Sequence, residues 1–188
     1  MNTTIKQLKL FDVPVEQKEY LLIISPSESV KKKIYDIKKD FGVKFKSNHA
    51  LHSLAHISIL GKRLKEEHEN SFMKRIETVC KDYRPFEIKL NGFNGFPSHT
   101  IYTEVTKNDY LQHLHYDLLE SLSLSSRMTF TPHLTIARQL KPNQFEAALP
   151  EYLSKSFHQS FVTESLLLMK REGEFTRYQK VTEFRFGR

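Results

Sequence analysis

Two short runs hold the residues best suited to chemistry, His56-Ile57-Ser58-Ile59 and His133-Leu134-Thr135-Ile136. In an extended strand alternate side chains share a face. Each run therefore presents an imidazole and a hydroxyl side by side, with two apolar residues on the opposite face. Imidazole titrates near neutrality, so of two histidines one can take a proton while the other gives one. Hydroxyls donate to phosphate oxygens without adding charge. Two such pairs facing each other across a cleft suit in-line displacement at phosphorus. No metal is needed if the imidazolium and nearby Arg or Lys offset the developing charge. Taken singly, a histidine beside a serine on a strand is most often a half-buried, hydrogen-bonded side chain. His158-Gln159-Ser160 shows how easily the spacing arises. Requiring both apolar positions as well lowers the chance expectation to roughly 0.2 occurrences, and the chain has the two quoted above.

Strands and helices must position these runs. A continuous apolar run over 20–25 predicts a buried strand, ended by Ser25-Pro26-Ser27-Glu28, a turn and helix start. Val30, Ile34, Ile37 and Phe41 recur at helical spacing, with Gly42 as the expected end of that helix. The first tetrad lies in a strand over 54–60 closed by Gly61, and a helix is predicted over 64–83. Strands over 86–93 and 99–105 flank the turn cluster 91–97. A helix over 108–121 precedes the second tetrad, in a strand over 130–137. A helix over 143–156 should be interrupted by Pro150. Strands over 157–170 and 176–186 close the chain, joined by the turn Arg171-Glu172-Gly173-Glu174. A helix precedes each tetrad, once in each half, and no linker divides the halves. The expected fold is a two-lobed α+β protein, with a helix-backed sheet in each half and approximate two-fold internal symmetry. Residues 1–18 form an N-terminal extension, and 19–188 a single bilobal domain.

Composition bounds the function. With 188 residues, 39% hydrophobic and 27% charged, the chain is a globular domain rather than a disordered or fibrous one. The single Cys80 excludes an internal disulfide and suits a reducing, cytoplasmic setting. The apolar runs are far shorter than the ~20 residues that span a bilayer, and the N-terminus lacks the apolar core of a secretory signal. The net charge of +7 points to a polyanion such as RNA. Lys31-Lys32-Lys33 and Lys38-Lys39, placed on the outer side of the first helix, could track an RNA backbone. No Gly-rich nucleotide loop is present, which argues against ATP-dependent chemistry. His49, His52 and His56 have no Cys or acidic ligand among them, and His113 and His115 point to different faces of a helix, so no metal or other cofactor is expected.

These residues resemble the two-histidine (2H) phosphoesterases, and within them the 2'-5' RNA ligase-like, cyclic phosphodiesterase branch. The resemblance covers about 20–186. It rests on His-Ile-Ser-Ile at 56–59, on Thr-Pro-His-Leu-Thr-Ile-Ala-Arg at 131–138, and on Phe96-Pro97, which looks like the family's Phe-Pro turn. It implies two antiparallel sheets around a central cleft with helices outside, and His56 facing His133. One histidine would be general base and the other general acid, in an order left open. Ser58 and Thr135 would hold the phosphate. Arg138 matches the family's arginine after the second tetrad, and Tyr178, on the last strand, would be an aromatic substrate contact. Strict alternation puts Arg138 on the face opposite His133, so it needs a strand end or a bulge to reach the cleft. The implied activity is a monomeric, metal-independent phosphodiesterase acting on 2',3'-cyclic phosphate ends of RNA or nucleotides, reversible as 2'-5' RNA ligation. A different class fits the same features: a non-catalytic RNA-binding module that keeps the two-lobed fold.

Overall fold

The computed structural model describes residues 17–125, 129–173 and 176–187. The expected extension lies outside the described residues up to position 16. Gln17 and Lys18, read as the end of that extension, pair with Lys65 and Leu64. The elements run β1 (Gln17–Ile24), α1 (Glu28–Phe45), β2 (Ile57–Lys65), α2 (Glu69–Lys81), β3 (Phe86–Phe96), β4 (Thr100–Val105), α3 (Asp109–Ser121), β5 (His133–Ala137), α4 (Pro142–Leu153), β6 (His158–Thr163), β7 (Ser165–Arg171) and β8 (Gln179–Arg185). They form an α+β fold of two four-stranded antiparallel sheets.

The sheets do not divide the chain into halves, as the sequence suggested. One sheet, in the order β2-β1-β7-β8, joins the two ends of the chain; the other, β5-β4-β3-β6, is built from its middle. We call them the terminal and central sheets. The stretch 157–170, read as one strand, is two strands that belong to different sheets and part at Glu164. No Gly or Pro marks that switch; the Glu164 carbonyl is instead held by the Phe186 N–H at 2.8 Å, a contact between residues distant in sequence.

Two of the helices, α1 and α3, cross between the sheets. α1 leaves the terminal sheet and packs on β5 and β6 of the central sheet, and α4 covers β3 and β4. α2 packs on β8 and on α3. α3 leaves the central sheet and returns to the terminal one, where buried His115 donates from Nδ1 to the Ile59 carbonyl at 3.0 Å. Each tetrad strand is thus reached by a helix that bridges to the opposite sheet. Both tetrad strands, β2 and β5, lie at sheet edges, and they touch each other.

Three further expectations change. Gly42 does not end the first helix, which runs on to Phe45 and closes with Lys46 in the left-handed conformation (φ 52°). A Cβ on Gly42 would lie 2.1 Å from Asn48 Oδ1, so the glycine lets the following loop fold back on the helix. The strand after His56 continues through Gly61 to Lys65, because its outer half pairs fully with β1. Pro150 sits near the C-terminal end of α4 and the helix continues past it to Leu153; there the loss of one N–H donor is tolerated. Among the described residues no helix is long and apolar enough to cross a membrane.

Candidate active site

The tetrads fold as alternation demands. Ile57, Ile59, Leu134 and Ile136 are buried, while His56, Ser58, His133 and Thr135 are half-buried. The apolar residues drive each strand onto the core, and the polar ones are left on the opposite face.

Both imidazoles are pinned in the same way. His56 donates from Nδ1 to the Leu54 carbonyl and His133 from Nδ1 to the Thr131 carbonyl, each at 2.8 Å. A carbonyl only accepts, so Nδ1 carries the proton in both rings. The neutral ring then keeps its lone pair on Nε2. Burial lowers the proton affinity of both rings below the ordinary histidine value, and the carbonyl bonds partly offset this. His56 is lowered further by the positive charges of Lys38, His133 and Arg138. The strand that follows His56, β2, and the strand that contains His133, β5, are in contact.

Each tetrad also carries a bulge at its fourth residue. Leu22 and Ile23 of β1 pair with Leu60 and Ser58, skipping Ile59. Ile101 and Tyr102 of β4 pair with Ala137 and Thr135, skipping Ile136. A bulge inserts one residue and shifts the facing of the residues after it. Ile136 and Ala137 are both buried, and Arg138 emerges exposed, in phase with His133 and Thr135. Arg138 Nε donates to the His49 carbonyl at 3.3 Å, on the loop that leads into His56, and its positive charge is among those that lower the proton affinity of His56. The freed carbonyl of the first bulge is the one that His115 takes up. His115 is only 6% exposed, burial holds its proton affinity down, and its ring stacks on Phe130 at 4.0 Å. It is a structural residue, not a ligand.

Three side chains at the site escaped the sequence reading. Phe96 and Tyr102 seat the His133 ring, each with its centroid 5.0 Å away, and pack on each other at 4.5 Å. Tyr102 is the ladder partner of Thr135, so it shares the tetrad's face. The third is Lys38, expected in solvent but 3% exposed, with Nζ donating to the Ser53 carbonyl at 2.9 Å. The signal was there: Val30, Ile34 and Lys38 are spaced by four, so Lys38 continues the buried stripe. The proposed lysine track is correspondingly broken, since Lys31 pairs with Glu28 and Lys33 donates to Gln159.

Tyr178 is not brought to the pair. It precedes β8 rather than lying in it, beneath the Arg171 guanidinium at 5.0 Å, in a cluster with Glu19 and Arg63. Arg63 is about 20 Å along β2 from His56 at ordinary strand rise. Among the described residues no group of three or more His, Cys, Asp or Glu side chains is placed to hold a metal ion.

The sequence profile of the 2'-5' RNA ligase superfamily matches residues 26–174, a stretch that includes both tetrads. The chain belongs to that superfamily. It is therefore a 2H phosphoesterase, an enzyme. A candidate phosphoesterase of Geobacillus kaustophilus is 26% identical over 167 residues, covering 86% of this chain and 94% of the relative. Among solved structures, apo LigT of Escherichia coli shares the fold with a TM-score of 0.72 at 15% identity, covering 92% of this chain and 99% of LigT. TT0787 of Thermus thermophilus gives 0.68 at 15% identity, over 89% and 97%. The two tetrads of this superfamily member are thus set in a fold that much more divergent sequences also adopt.

Proposed function

We propose that this phosphoesterase opens 2',3'-cyclic phosphate ends of RNA or nucleotides, with His56 and His133 as the general base and general acid. The observation that carries the reading is the identical pinning of the two rings. Each Nδ1 is committed to a backbone carbonyl, which leaves each Nε2 to work as the proton-exchanging atom, with a hydroxyl two residues further on. In the forward reaction one neutral Nε2 takes a proton from water as the water oxygen attacks phosphorus. The other, protonated, gives its proton to the departing ribose oxygen, and the ring opens to a phosphomonoester and a free hydroxyl. Ser58 and Thr135 donate to the non-bridging oxygens, and Arg138 offsets their charge. A ribose 5'-hydroxyl in place of water gives the 2'-5' ligation step by the same proton transfers. Support for a nucleotide substrate comes from the shared fold of LigT, one structure of which is a complex with 3'-AMP.

The test is hydrolysis of a panel of nucleoside 2',3'-cyclic phosphates and of RNA ending in a cyclic phosphate, with EDTA present. Wild type and the His56→Ala/His133→Ala double variant are compared. Turnover by wild type that is lost in the variant is the expected result. Absence of turnover on every member, together with salt-dependent RNA binding that survives the double substitution, would instead make the protein a binding module.

A further inference from the structure

The two histidines are held alike but are not surrounded alike, and the difference traces to one buried lysine. Lys38 lies on the core stripe of α1, between the helix and the loop that leads into His56. Its Nζ donates to the Ser53 carbonyl at 2.9 Å. Leu54, the next residue, supplies the carbonyl that fixes the His56 ring. Ser53 is fastened in turn to the Ala50 carbonyl through both Oγ and N–H, and Leu51 N–H bonds Asn48. The segment 48–54 is therefore a pair of tight turns docked on α1 by an ammonium. Among the described residues the second tetrad is bordered differently: Phe96 and Tyr102 flank His133, and Glu104, its ladder partner, is held by Asn94 Nδ2 at 2.6 Å.

We propose that Lys38 is a positioning residue for His56, which both docks the backbone that orients this ring and places a fixed positive charge beside it. The proposal rests on reading His56 and His133 as the acid–base pair. The positive charges of Lys38 on α1, and of His133 and Arg138 on β5 and just beyond it, all oppose a proton on His56. Lys38 is itself affected: burial first, and Arg138 second, push its ammonium down to about 8, so its influence fades in mildly alkaline solution. A lysine that served only to fill the stripe would not need its charge.

The experiment separates charge from packing. Histidine ring carbon–proton signals are titrated in wild type, Lys38→Met, which keeps the stem without charge, and Lys38→Arg, which keeps the charge. Lys38→Gln, neutral but still a donor, serves if the methionine variant does not fold. The expected result is that His56 titrates at higher pH in the neutral variants and as wild type in Lys38→Arg, while His133 is unmoved. The limb of the kcat/KM profile that His56 governs, measured on uridine 2',3'-cyclic phosphate, should move to higher pH in step with it. An unchanged His56 in the neutral variants, or an equal shift of His133, would overturn the proposal. The ring titrations need no turnover, so a wild type inactive on cyclic phosphates would count against the function proposed above and leave the role of Lys38 still decided.

Discussion

The two arms of the site share their local geometry and differ in everything that surrounds it. In both, a histidine Nδ1 donates to the carbonyl two residues earlier, an apolar pair is buried behind, and a bulge falls at the fourth residue. Around His133 stand two aromatic rings; around His56 stand Lys38 and Arg138. Local repetition gives two imidazoles the same tautomer, and unequal surroundings give them different electrostatic settings. The same sequence signal, repeated, is therefore not evidence of the same role.

The most severe way to test that partnership is to remove one ring at a time. His56→Ala and His133→Ala should each lower kcat by at least ~10²-fold, the usual contribution of general acid–base catalysis, with the circular dichroism of the fold retained. A variant that kept most of its turnover would break the symmetry of function between the arms. Next come the hydroxyls. Loss of a hydrogen bond to a charged oxygen costs about 1.5–3 kcal/mol, so Ser58→Ala and Thr135→Val should each cut kcat/KM by about tenfold or more. A Thr135 variant with wild-type kcat/KM would restrict phosphate binding to the first arm.

Two predictions use proton affinity. Both imidazoles of the proposed pair are held below 6.5, so the bell-shaped profile of kcat/KM, which reports the free enzyme, should peak below pH 6.5. A maximum above pH 7 would contradict the burial of the pair. Stability follows the same sign. His56, His115 and His133 are all disfavoured as cations in the folded state, mainly by burial. The unfolded chain binds more protons as pH falls through 6.5, so stability is full above that pH and declines below it. Urea midpoints at pH 7.5 and 5.5 check this, and a midpoint that rose on acidification would refute it. His115→Phe keeps the stack on Phe130 but leaves the Ile59 bulge carbonyl without its donor. It should cost roughly 1–3 kcal/mol in the same urea experiment at pH 7.5. The smallest effect is expected at the far end of the terminal sheet, where Tyr178→Phe should leave turnover within about twofold of wild type. A larger loss would bring that cluster back into the substrate path.

Much of this was legible in the chain. The His-apolar-hydroxyl-apolar alternation named the four central side chains, because a period of two needs only a strand to become a face. The apolar runs located most strands, and the helical spacing most helices. The Gly42 and Glu164 readings failed for a common reason. Whether a glycine ends a helix, or a strand changes sheets, depends on what lies opposite in space: here Asn48 against α1, and Phe186 against the 163–165 turn.

By itself, then, the sequence determined which atoms could do chemistry and which faces would be apolar, since both follow from side-chain type and local period. Only the tertiary structure decided how they were used. The crossing of α1 and α3 between sheets set β2 beside β5, and pairing with β1 and β4 placed the bulges that bring Arg138 into phase with His133 and give His115 a carbonyl to hold. Burial of Lys38 under the first tetrad is likewise a matter of what α1 packs against. Charges, rings and carbonyls act through space, and their neighbours here come from residues tens of positions away in the chain.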